Sequence, residues 1–285
     1  MLTLFGILFG LGCVLGGFVM EGGNLLSLFI PAEYVIIAGC AAGTLVAMAT
    51  PRVLKRLGSL FGTLLKGDTS SKAKYLELLT MLYDLFQVTK KEGLLGLEAH
   101  VEDPHKSEIF SKYPAFLANH HAMAFLCDTV KIIITSNLPA HDLEALMDSD
   151  IDTHHAEQQQ PIGVLQKVSD ALPGLGIVAA VLGIVITMGA IDGPAAEVGH
   201  KVAAALVGTF LGLLMSYGIF NPIATQMELV TQAESRYYQV MKTALVAFWK
   251  MLPALVAVEF ARRTIETDQR PTFRELEEAC RPTKG

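Results

Sequence analysis

The chain has 285 residues, of which 52% are hydrophobic and only 18% charged, with 22 Lys and Arg against 28 Asp and Glu. Soluble globular chains carry about a quarter charged residues, and the mean hydropathy here is positive at +0.43. That composition fits a membrane protein, and the formal net charge of −6 argues against a nucleic-acid partner.

The first apolar stretch, Leu2–Met20, is long enough to cross a hydrocarbon core of ~30 Å as a helix. It does not read as a signal peptide, because no Lys or Arg precedes it and no small-x-small site precedes Glu21. Gly6, Gly10, Gly12 and Gly16 permit close helix approach, as small-xxx-small patterns do in lipid, or simply reflect the glycine content of membrane helices. The second stretch, Tyr34–Ala49, is short for a span, so its ends sit near the interface or the helix draws in Pro31–Glu33. The two spans are expected at about 2–20 and 34–50.

Residues 51–170 read as a helical loop domain. Leu78, Leu82, Leu85 and Val88 recur at three- and four-residue steps, which predicts an amphipathic helix from Ser71 to Lys91, interrupted by Gly93 and Gly96. A second helical pattern runs from Ala115 to Asn137 and ends at Pro139. The acidic stretch Asp142–Gln160, with His154 and His155, reads as a solvated helix or linker rather than a metal site.

Two further apolar stretches, Ala171–Ala190 and Val202–Asn221, contain no acidic or basic residue. They give spans at about 171–190 and 202–222, the first opened by Pro173 and the second followed by Pro222. Ser169 and Asp170 stand before Pro173 as helix-start residues. The polar lining on offer is Thr187, Thr209, Ser216, Tyr217 and Asn221. A membrane machine that moves ions ordinarily needs a titratable group at depth. Either this chain handles no ions, or another chain supplies the carboxylate. Residues 223–285 form a charged helical tail in which Pro253 is the main breaker.

Flanking charge sets the orientation. Arg52, Lys55, Arg56 and Lys66 follow the second span, while the short link before it carries only Glu21 and Glu33. Bases lie inside, so the loop domain, the tail and both termini are expected in the cytoplasm. Cys13, Cys40, Cys127 and Cys280 show neither metal spacing nor a disulfide framework. No phosphate loop, H-E-x-x-H or G-x-S-x-G motif occurs, so an enzymatic reading has little support and no cofactor or metal is expected.

The run Leu172-Pro173-Gly174-Leu175-Gly176-Ile177-Val178-Ala179-Ala180 is distinctive, as are Val207-Gly208-Thr209-Phe210-Leu211-Gly212 and Tyr217-Gly218-Ile219-Phe220-Asn221-Pro222. With Ala257-Val258-Glu259-Phe260 and the stretch from Arg270 to Glu278, they resemble the flagellar stator branch of the MotA/TolQ/ExbB family of ion-driven membrane motors. The resemblance covers essentially the whole chain. It implies an all-α, polytopic inner-membrane protein with four spans and a helical cytoplasmic domain. It implies five such subunits around two copies of a single-span MotB-type partner that carries an essential aspartate. Protons passing at that acid would drive torque on the rotor.

By the same resemblance, Pro173 and Pro222 are gating positions, and Thr209 is a lining hydroxyl that meets the partner acid or an ion's water, unless it bonds its own helix carbonyl. Sodium-using relatives carry extra hydroxyls where this chain has Ala180 and Gly208, so the transported ion is expected to be H+. Lys90 and Glu98 fall where the family keeps charges that engage the rotor switch protein FliG, with Lys91 a second base and Asp150 a further candidate. A TolQ/ExbB-type energiser of outer-membrane work, a sodium-coupled stator, a self-sufficient transporter and a passive scaffold are the competing readings.

Overall fold

The structure, a computed structural model, describes residues 2–66 and 71–281. The side chains of residues 63–66 are not described. The Lys66 charge and the stretches 67–70 and 282–285 of the expected loop domain and tail therefore lie outside the described residues. All regular elements among the described residues are helical. Four helical runs are long and apolar enough to cross a membrane: Leu2–Met20, Pro31–Met48, Ala140–Met188 and Ala195–Trp249. The chain divides into two compact units, one holding the described residues through Lys66 with Ala156–Thr231, the other Ser71–His155 with Gln232–Arg281.

In the first unit, α1 (Leu2–Met20) buries no residue within the chain. Among the described residues nothing lies within 4 Å of where a methyl would stand on Gly6, Gly10, Gly12 or Gly16, so these glycines mediate no close approach to the described part of this subunit. Helix α2 (Pro31–Met48) does draw in Pro31–Glu33, because proline suits the first turn of a helix, where its missing N–H has no intrahelical partner anyway. Its buried residues step by four: Glu33, Ile37 and Ala41.

Helix α3 (Pro51–Lys66) was not expected from the sequence as a separate element. Val53, Leu57 and Leu60 form its buried stripe, and Leu57 and Leu60 pack on Ile162, Leu165, Ala224 and Met227. Arg52, Lys55 and Arg56 remain exposed.

In the second unit, α4 (Lys72–Glu92) starts where Ser71 accepts a hydrogen bond from the Lys74 N–H, and stops at Gly93. Gly93 adopts a φ of 75°, a left-handed conformation that a residue without a side chain reaches at little cost. Leu78, Leu82 and Leu85 are fully buried, as the periodicity predicted. The pattern expected over 115–137 is split: short α6 (Pro114–Leu117) follows α5 (Glu98–Glu102), and α7 (His120–Thr135) begins afresh after Asn119, whose side chain accepts from Ala122 N. The cap supplies an acceptor for an otherwise orphaned N–H, and so the two helices do not merge.

Helix α8 (Ala140–Met188) is 49 residues long and carries Pro161 and Pro173 inside it. It therefore corrects the reading of Pro173 as a helix opener with Ser169 and Asp170 as start residues. The acidic stretch is the first third of this helix, with Leu143, Met147 and Ile151 buried at four-residue steps and the charges outward. His155 Nδ1 lies 2.7 Å from Ser235 Oγ.

Helix α9 (Ala195–Met215) passes through a π turn, Ser216–Phe220, into α10 (Asn221–Trp249). Pro253 then acts as the predicted breaker: Met251 takes a φ of 61° and α11 (Ala254–Arg263) follows.

The second unit's core is built from large side chains. Phe86 stacks on Phe248 with ring centroids 4.1 Å apart, and Trp249 Nε1 donates to Leu138 O at 2.7 Å. Burial raises the thiol pKa values of Cys127 and Cys280 to about 11 and about 12, which makes both unreactive at neutral pH. Arg262 grips Glu259 through two hydrogen bonds of 2.6 and 2.8 Å and reaches on to Pro271 O. Glu259 in the Ala257–Phe260 motif thus ties α11 to the turn before α12 (Phe273–Ala279).

Candidate ion-path site

The central feature of the first unit is the crossing of α8 and α9. A methyl on Gly176 would stand 2.7 Å from Gly208 O and 3.1 Å from Gly212 Cα. A methyl on Gly212 would stand 2.6 Å from Leu172 O and 2.9 Å from Gly176 Cα. One on Gly183 would stand 2.7 Å from Ala205 Cβ. Backbone therefore meets backbone here. Lipid gives little hydrophobic drive for helix association, and small residues replace it with close van der Waals contact. Gly208 and Gly212 form a G-x-x-x-G pair on α9.

The prolines interrupt the hydrogen-bond ladder beside this crossing. Proline at position i leaves the carbonyl of i−4 without its usual donor. For Pro161 that carbonyl belongs to Glu157, and Arg56 of α3 supplies the replacement, donating from Nη1 to Glu157 O at 3.2 Å and from Nη2 to Glu157 Oε2 at 2.6 Å. The arginine read from the sequence only as a topological charge also mends a helix. For Pro173 the freed carbonyl is that of Ser169, whose hydroxyl lies 3.3 Å from both the O and the Oγ of Ser216 in the π turn. For Pro222 it is that of Gly218, inside the π turn, where Asn221 N bonds back to Ser216 O. A π turn accommodates a proline without ending the helix, since it changes which carbonyl each N–H reaches. Pro173 and Pro222 are both half-buried, and each neighbours one side of the Ser169–Ser216 contact in sequence.

Thr209 is half-buried and contributes backbone to the crossing, its Cα 3.3 Å from the Gly176 methyl position. Its hydroxyl makes no hydrogen bond among the described residues, whereas that of Thr187 donates to Gly183 O at 2.8 Å. The reading in which Thr209 bonds its own helix carbonyl is therefore not what the structure adopts. Ala180 is buried at 8% exposure on α8.

Glu33 is the residue that the sequence reasoning missed. The third and fourth apolar stretches carry no charge, as read, but α2 delivers a carboxylate to them. Glu33 is 5% exposed, and its carboxylate fills the space beside Gly208 where a side chain would otherwise stand, next to Ala179. Its Oε2 has no hydrogen-bond partner among the described residues. The two stretches themselves hold no titratable group, as read; the carboxylate buried beside them comes from α2. A signal for it existed: Glu33, Ile37 and Ala41 share the four-residue stripe of the face that α2 buries.

In the second unit, Lys90 lies in the last turn of α4 and Glu98 in the first turn of α5, with the Gly93 turn between them. Both are exposed, as are Lys91 and Asp150, and neither Lys90 nor Glu98 joins an ion pair among the described residues.

Comparison with known proteins gives these features a family. The model for the Motility protein A N-terminal region matches residues 4–93, and that for the MotA/TolQ/ExbB proton channel family matches residues 118–240. The chain is 40% identical to Motility protein A of Escherichia coli over all of its length and 97% of the relative's. It is 36% identical to the chemotaxis protein LafT of Vibrio parahaemolyticus over 98% of both chains. Its fold matches the C. jejuni MotAB structure with a TM-score of 0.77 at 15% identity, covering 93% of this chain and 96% of that one. It also matches the Bacillus subtilis MotAB stator complex with a TM-score of 0.73 at 23% identity, covering 90% and 92%. Full-length identity to curated relatives, family matches along both halves and the shared fold agree: the chain belongs to the MotA/TolQ/ExbB proton channel family.

Proposed function

We propose that this chain is a flagellar motor stator subunit that surrounds a single-span MotB-type partner and converts proton flow at the partner's acid into torque. The observation that carries this is the α8–α9 pair: an apolar crossing closed backbone to backbone, with Pro173 and Pro222 loosening the ladder beside it. Such a pair can bend at fixed points without parting. Freed carbonyls and the Thr209 hydroxyl then offer polar contacts to an acid presented against them. The relatives' names and the titles of the matching structures support the same role. The energiser reading gains nothing, since the full-length relatives are motility and chemotaxis proteins.

In this reading the chain spans the inner membrane four times with both termini in the cytoplasm. Several copies, five in the family pattern, encircle two partner helices. The exposed Lys90 and Glu98 meet charged groups on the rotor switch protein, where complementary charge favours fast, salt-sensitive engagement. The transported ion is H+, because Ala180 and Gly208 bring no extra oxygen ligands for a dehydrating Na+.

The test is co-purification from membranes. A single-span protein with an aspartate near the start of its helix and a wall-binding domain is the expected companion. Recovery of this chain with an outer-membrane energising complex instead, or proton flux through rings of this chain alone, overturns the proposal. Motor speed that drops when sodium is withdrawn at constant proton-motive force overturns the choice of ion.

A further inference from the structure

We propose that Glu33 is a second proton-carrying acid on the ion path, contributed by this subunit itself and exchanging protons between outside water and the partner's acid. The proposal rests on the stator reading above and adds a residue to it.

The geometry is unusual for a structural glutamate. Glu33 is only 5% exposed, and its Oε2 meets no donor among the described residues. Neither α8 from 171 to 188 nor α9 from 202 to 215 carries any titratable or charged residue, and the turn Leu25–Leu28 carries none. On α2 itself the titratable groups are Tyr34 and Cys40. The first two turns of α9 carry Glu197, His200 and Lys201, and Lys201 Nζ is held by Glu197 at 2.9 Å, so among the described residues no cation pairs with the carboxylate. A buried carboxylate left unpaired is costly and is relieved by taking up a proton or by meeting a polar group. Acidic side chains placed in this way inside membrane proteins mark proton and ion pathways.

Its location suits that task. The carboxylate lies against Gly208, one residue from Thr209, and beside Ala179, one residue from Ala180. Glycine at 208 is what makes room, since a methyl there would collide with the carboxylate. Glu33 is also the third residue of α2, close to the end that follows the short link Glu21–Ile30. In the proposed topology that end faces outside. The step balances simply: the carboxylate takes a proton from hydronium, leaving water, and later passes the same proton through water to the partner's ionised acid.

The experiment compares wild type, Glu33→Gln and Glu33→Asp, each expressed with the cognate partner in stator-null cells. Glu33→Gln keeps the shape and loses the exchangeable acid. It is expected to co-purify with the partner at wild-type yield while motor speed falls several-fold. Glu33→Asp is expected to recover part of that speed. Wild-type speed for Glu33→Gln across external pH overturns the inference and leaves the stator reading intact. Failure of the wild-type chain to restore swimming sinks that reading instead.

If Glu33→Gln does not assemble, infrared difference spectra between acid and neutral pH on the wild-type and Glu33→Asp complexes decide. A protonated-carboxyl band that shifts between the two supports the role, and identical spectra overturn it.

Discussion

Around Gly176, Gly208 and Gly212 the chain brings bare backbone together, whereas around Leu82, Phe86 and Phe248 it brings together its bulkiest side chains. The difference follows from the solvent. Among lipid tails a leucine gains little by leaving its surroundings, so association depends on approach distance, and glycine gives the closest approach. In water the gain scales with the apolar area removed, and large side chains provide it. One chain therefore holds two packing rules in two compact units.

The strongest way to break this comparison is to add volume where backbone meets backbone. Gly212→Val places carbons within 3 Å of Leu172 O and Gly176 Cα, and neither is a flexible side-chain end that can move aside. It should abolish swimming and reduce recovery of the assembled complex from membranes. Normal recovery and swimming together would show that the crossing is not closed as described.

Removing volume is the corresponding test in the second unit. Phe86→Ala deletes a ring that is 2% exposed and stacked on Phe248, and should cost about 3–5 kcal/mol. Thermal unfolding of the purified complex reads the loss as a lower transition temperature. An unchanged transition would mean that this core contributes little.

Surface charge is expected to act on function without acting on folding. Reversing Lys90 and Glu98 together should slow swimming while leaving membrane assembly as in wild type, because both side chains are exposed and unpaired among the described residues. Unchanged motility removes them from the rotor contact.

The smallest effect belongs to the C-terminal cap. Thr272 and Glu275 form a capping box at α12, and Lys72 Nζ lies 2.7 Å from Glu275 Oε1. Thr272→Ala should cost about 1 kcal/mol locally and speed hydrogen exchange in α12. The hydrogen bond from Lys72 and those from Thr272 lower the Glu275 pKa to about 2 from its ordinary 4.5. Its contribution is therefore fully present above the ordinary value and is lost as pH falls toward about 2. Exchange in α12 that ignores acid over this window would contradict the pairing.

Much of this organisation was legible from local pattern. The spans, the Ser71 start and Gly93 stop of α4, and the break at Pro253 rest on hydrophobic period and on residues that act on their immediate neighbours. Less legible were the split between α6 and α7, where the Asn119 cap lay hidden in an apolar pattern, and the whole of α3. The candidate ion-path residues were located by motif, yet their surroundings were not. Thr209 gave no hint that its hydroxyl would stay free of its own helix, and Glu33 read as link charge.

What the sequence alone determined is which segments are helical and apolar enough to enter a membrane, because period and hydropathy act over a few residues. Tertiary structure decided the rest. Arg56, a hundred positions earlier in the chain, donates to the carbonyl that Pro161 frees, and Ser169, one turn before Pro173, bonds through its hydroxyl to Ser216 O. Glu33 becomes buried because Gly208, 175 positions further along the chain, has no side chain to keep it out. Whether a carbonyl finds a donor or a carboxylate finds water depends on atoms that share space without sharing sequence, and no local pattern encodes that.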